Sequence, residues 1–97
     1  MDGINILGSK WKIKKKYISA EEDGYTDVSK KVIIVNPKAK EYNRVLRHEI
    51  IHAFMFESGL GFNFEHPSIG VDETMVDWYA IQYPKIRKVF KKLNIEE

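Results

Sequence analysis

Residues 38–58 hold neither glycine nor proline, the longest such stretch in the chain, and they are bracketed by Asn36-Pro37 and Gly59. Asparagine is a preferred helix N-cap and proline fits the first helical position. Glycine suits the residue just past a helix end. The bracket therefore predicts one long helix over residues 38–58, against which the rest of a 97-residue chain must pack. Val45, Leu46, Ile50, Ala53, Phe54 and Phe56 cover more than one of its faces, the pattern of a buried helix.

Inside that stretch stands His48-Glu49-Ile50-Ile51-His52. Residues four apart share a helix face, so both imidazoles can reach one metal ion. Glu49 is turned about 100° from His48, near enough to reach a water on that ion without becoming a ligand. H-E-x-x-H is the zinc-hydrolase pattern: two ligands and a general base from two turns of helix. Two histidines and a glutamate are costly to bury without partners, and a metal is one efficient partner. The plainer reading is a surface cluster that meets water.

A catalytic zinc needs a third protein ligand and an open position. Ser58 stands where a metzincin would carry its third histidine, which excludes that class. His66, in Asn63-Phe64-Glu65-His66-Pro67, is one candidate; if not a ligand, it could donate a proton or hydrogen bond to the transition state, a role for which Tyr25 and Tyr79 are weaker candidates. Glu73 is the other, with Asp77 four residues on and so on the same helix face. There Glu73 could bind zinc while Asp77 takes the far N–H of a ligating histidine and fixes its tautomer.

With H-E-x-x-H followed by E-x-x-x-D, the chain resembles the gluzincins, the thermolysin-like metallopeptidases. Its size and the Tyr79-Ala80 pair after Glu73 look most like the ImmA/IrrE family of phage and bacterial metallopeptidases, over residues 31–84. The resemblance implies one zinc ion held by His48, His52 and Glu73, with Asp77 orienting a histidine. Glu49 would take a proton from a metal-activated water in peptide-bond hydrolysis. It also implies a regulatory protein as substrate. In gluzincins the strand ahead of the active-site helix pairs with the substrate backbone, which would assign Ile33, Ile34, Val35 and Asn36 that part. The alternative is a zinc-containing protein-binding module of the same origin that cuts nothing.

The expected fold is α+β. A small three- or four-stranded sheet, antiparallel or mixed, packs on the H-E-x-x-H helix, followed by a second metal-ligand helix and a C-terminal helix. Strands are expected at residues 4–7, at 11–14, where Trp11 and Ile13 alternate with lysines, and at 31–36, rich in β-branched residues. Residues 24–27 read as a short strand or turn. Pro84 should end or kink the second helix. Beyond it Ile86, Val89, Phe90 and Leu93 form an apolar stripe opposite Lys85, Arg87, Lys88, Lys91 and Lys92.

One domain spanning residues 1–97 fits this length. The chain lacks cysteine, which excludes disulfides and thiolate metal sites. No signal-peptide core or membrane-spanning run is visible, so a cytoplasmic protein with no membrane partner is expected. The lysine faces at residues 10–16 and 85–92 read first as solvated surface, since net charge is only +2 and no nucleic-acid motif is present.

Overall fold

A computed structural model describes residues 3–59 and 73–96. Its architecture is α+β: a four-stranded mixed sheet and, among the described residues, two helices. The strands are β1 (Gly3–Ile6), β2 (Ser9–Lys15), β3 (Gly24–Asp27) and β4 (Val32–Val35); the helices are α1 (Tyr42–Glu57) and α2 (Glu73–Leu93).

Leu7 and Gly8 both adopt positive φ, 51° and 93°, and close the β1–β2 hairpin with the twist that two-residue turns prefer. Trp11 is buried while Lys12 and Lys14 are exposed, as the alternation of residue types anticipates. Sheet order is β1-β2-β4-β3, with β4 parallel to β2 and antiparallel to β3. Ile4, Ile6, Trp11, Ile33 and Val35 form the face against which Leu46, Ile50, Ala53 and Phe54 of α1 pack. Ile86, Val89 and Ile95 close this core from the α2 side.

α2 runs antiparallel to α1. The Trp78 indole N–H donates to Ser58 Oγ at the end of α1 (2.7 Å), and Arg47 Nη1, near its beginning, donates to the Ile95 carbonyl (2.6 Å). At the end of α1, Ser9 Oγ (3.1 Å), Trp11 Nε1 (2.8 Å) and Lys31 Nζ (3.0 Å) converge on the Glu57 carboxylate. Burial pushes the Glu57 carboxyl up, but the bonds from Lys31, Trp11 and Ser9 outweigh it and hold it below its ordinary value.

Three sequence expectations are corrected. The first helix begins at Tyr42, not residue 38, because Asn36 folds its side chain into a turn. Its Oδ1 accepts the Lys38 N–H (3.0 Å) and its carbonyl accepts the Ala39 N–H (3.0 Å), the local bonding that lets asparagine compete with helix. The helix is amphipathic and not buried all round: Leu46, Ile50, Ala53 and Phe54 face the core, and His48 and His52 are exposed. The second and C-terminal helices are one, since α2 runs through Pro84 and the Ile86–Val89 pair anchors it beyond the proline. No helix among the described residues is long and apolar enough to cross a membrane.

Candidate metal centre

The side chains of the motif lie on two sides of α1. Glu49, 7% exposed, points towards the sheet with the core residues. His48 and His52, one turn apart, project outward. Their Nε2 atoms stand 3.1 Å apart with the rings inclined at 70°. At that separation two N–H groups cannot face each other. Either one nitrogen donates to the other, or both lone pairs serve a shared cation. Two imidazole nitrogens about 2.05 Å from one zinc ion at a tetrahedral angle stand about 3.3 Å apart, so the pair fits zinc with a shift of only about 0.2 Å.

β3 fixes Glu49. The Thr26 hydroxyl lies 2.7 Å from Glu49 Oε1 and 3.0 Å from the Glu49 carbonyl oxygen, so its single proton is shared between them, with the shorter contact to the carboxylate. Gly24 lets the helix come this close. A Cβ there would stand 2.9 Å from the Ile34 carbonyl oxygen, 2.9 Å from Val45 Cγ1 and 3.4 Å from Glu49 Cγ. Gly24, Val45, His48 and Glu49, with Asp23 and Arg44, line an open cleft of about 370 Å³ between α1 and the start of β3.

Among the described residues β3 is the edge strand of the sheet on this side. The Asn36 N–H donates to the Asp23 carbonyl (2.7 Å), which with the β3–β4 register points the N–H and C=O of Tyr25 at β4 and those of Gly24 and Thr26 outward. This corrects the expectation that Ile33, Ile34, Val35 and Asn36 meet a substrate strand. β4 is paired on both flanks, by β2 and β3, and has no free row of backbone groups. Tyr25 alternates with Gly24 and Thr26, so its ring is on the face away from Glu49. Tyr79 lies on α2, its ring 5.3 Å from that of Tyr83.

Glu73 opens α2 and Asp77 follows one turn later, but their side chains, like all of His66, lie outside the described residues. Among the described residues no group of three or more His, Asp or Glu side chains is placed to hold a metal ion. Thr26 and Gly24 are the positions beside the candidate site that sequence reasoning missed. The short Gly24–Asp27 segment signals a strand, and nothing in its composition names α1 as its partner. Neither a protein-family model, nor a curated protein, nor a solved structure matches this chain.

Proposed function

We propose that the chain is a zinc-dependent hydrolase of peptide bonds, a minimal gluzincin-like enzyme similar to the ImmA/IrrE metallopeptidases. The observation that carries this reading is the convergence of His48 Nε2 and His52 Nε2 to 3.1 Å, beside a buried Glu49 held by Thr26. His48 and His52 would hold the ion, with Glu73 as third ligand, or His66 in its place. When bound, zinc supplies a Lewis acid that polarises a carbonyl and acidifies water.

The protein's own groups do the rest. Thr26 occupies one oxygen of Glu49 and orients the carboxylate. The other oxygen accepts the proton of the attacking water and later delivers it to the leaving amine. An extended substrate adds to β3 through the outward N–H and C=O groups of Gly24 and Thr26, which brings its backbone alongside the cleft that His48 and Glu49 line. A regulatory protein is the substrate class that the resemblance suggests.

The buried Thr26–Glu49 contact also serves a second reading, a zinc-containing binding module in which Glu49 only fastens the helix to the sheet. Glu49→Gln separates the two, because glutamine keeps an oxygen for Thr26 but cannot take a proton. The first test is zinc per chain by elemental analysis, after loading and removal of excess, in wild type, His48→Ala and Glu73→Ala. About one zinc in wild type, sharply reduced in both variants, supports the His-His-Glu centre. Retention in Glu73→Ala alone moves the third ligand to His66. Wild type that binds no zinc after loading ends the hydrolase reading.

A further inference from the structure

On the side of α1 away from the histidines lies a larger and chemically different feature. An open groove of about 900 Å³ runs between β2, the first turns of α1 and the end of α2. Counting about 100° per residue, Tyr42, Asn43 and Leu46 lie on average about 150° around α1 from His48 and His52. The groove is therefore separate from the candidate metal centre. Its floor is aliphatic, made by Ile13, Leu46, Leu93 and Ile95, and five lysines line it with no acidic residue among them.

Three properties say what fits it. The first is charge. None of the ion pairs among the described residues involves these lysines, and Lys12 and Lys14 flank the groove from the outer face of the sheet. The second is the floor. Single-stranded nucleic acid needs open aromatic faces for its bases. Among the described residues Tyr42 is the one aromatic that lines the groove, and Lys15 Nζ already stands 5.4 Å from its ring centroid. Aliphatic side chains suit the floor better than bases do.

The third property is the backbone. Lys12 and Lys16 donate their N–H groups to the Lys31 and Val35 carbonyls (3.1 and 3.0 Å), so Ile13 and Lys15 between them turn their N–H and C=O away from β4. Pairing with β1 reaches only to Lys12, opposite Gly3, and among the described residues no strand pairs with Ile13 or Lys15. A strand added here would send alternate side chains to the aliphatic floor and to the outer face of the sheet, where Lys12 and Lys14 stand.

We propose that this groove binds an extended segment of a partner protein in which aliphatic and acidic side chains alternate. The segment adds as a strand beside Ile13 and Lys15, its aliphatic side chains on the floor and its carboxylates against the lysines. The site works independently of His48, Glu49 and His52.

The test is fluorescence anisotropy with a labelled peptide alternating Val and Glu, titrated with the full chain. Lys12→Glu combined with Lys14→Glu should weaken binding by at least about tenfold. Lys85→Glu combined with Lys88→Glu, an equal charge change outside the groove, should leave it within about twofold, as should Glu49→Gln. Circular dichroism verifies that each variant is folded. A Val-Gln peptide, and a Val-Glu peptide N-methylated at alternate amides, should each bind about tenfold more weakly. Equal losses from the two lysine pairs, or equal binding of the Val-Gln or N-methylated peptide, would overturn the proposal. So would a single-stranded oligonucleotide of the same charge that binds more tightly than the peptide and displaces it.

Discussion

Gly24→Ala tests the close approach on which the candidate site is built. The new methyl carbon would stand 2.9 Å from the Ile34 carbonyl oxygen and 2.9 Å from Val45 Cγ1. Carbon atoms pack comfortably at about 3.5–4.0 Å, so the valine contact alone asks for a displacement of about 0.6 Å or more. Ile34 belongs to the interior strand and cannot yield without disturbing its ladder with β3. The relief available is movement of α1 away from β3, which stretches the 2.7 Å Thr26–Glu49 bond. Overpacking of this kind costs about 1–3 kcal/mol. The weakened hydrogen bond adds about 1 kcal/mol. Alanine's smaller unfolded-state entropy returns about 0.4–1 kcal/mol. The net loss is about 2 kcal/mol, which for a chain of this size lowers Tm by about 10 °C. Thermal unfolding followed by circular dichroism measures it. Adding Val45→Ala removes one of the two clashes, so a double-mutant cycle should show a coupling of at least about 0.5 kcal/mol in the relieving direction. An unchanged Tm in Gly24→Ala, or strict additivity with Val45→Ala, would refute the reasoning.

Other predictions follow from single contacts. Glu57→Ala strands the buried Trp11 indole N–H and should cost about 1–3 kcal/mol in urea unfolding monitored by tryptophan fluorescence. Because the folded state holds the Glu57 carboxyl below its ordinary value of 4.5, its contribution is complete above that pH and is lost as pH falls through the folded value. Glu57→Gln should therefore flatten the stability profile below about pH 4.5 relative to wild type, and parallel profiles would contradict this. Pro84→Ala restores a donor inside α2 and should raise stability by up to about 3 kcal/mol, seen as a higher urea midpoint; a lower midpoint would mean the proline shapes a needed bend. Glu49→Gln should retain zinc within about twofold of wild type by elemental analysis and lose hydrolysis of any peptide the wild type cleaves.

The sequence exposes some of this architecture and hides the rest for physical reasons. Strand β2 is legible because its two faces meet different solvents, so Trp11 and Ile13 alternate with lysines. The end of α1 is legible because Gly59, at φ 87°, takes a backbone conformation that favours glycine. The start of α1 is not, since Asn36 before a proline has the same local chemistry whether it caps a helix or closes a turn. Pro84 misleads because an interior proline breaks a helix only when packing beyond it is weak, and Ile86 and Val89 supply that packing. Of the site, His48, Glu49 and His52 are local and readable from their spacing. Thr26 and the edge position of β3 depend on strand order, which no short-range pattern encodes. The substrate strand implied by the gluzincin resemblance does not fit β4 for that reason: strand order puts β4 inside the sheet.

The insertion of β4 between β2 and β3 bears on how the chain assembles. β3, β4 and α1 occupy one uninterrupted stretch, residues 24–57, and it contains Thr26, His48, Glu49 and His52. The β1–β2 hairpin joins it along the far flank of β4, and α2 joins through the core and the contacts at Ser58 and Ile95. The histidine pair and its glutamate thus sit in a stretch whose elements are joined by the short loops 28–31 and 36–41, and short loops cost little entropy to close. In native-state hydrogen exchange, amides of residues 46–54 should remain protected through openings that release β1 and the second half of α2. The arrangement that holds Glu49 against Thr26 would then be assembled early and given up late.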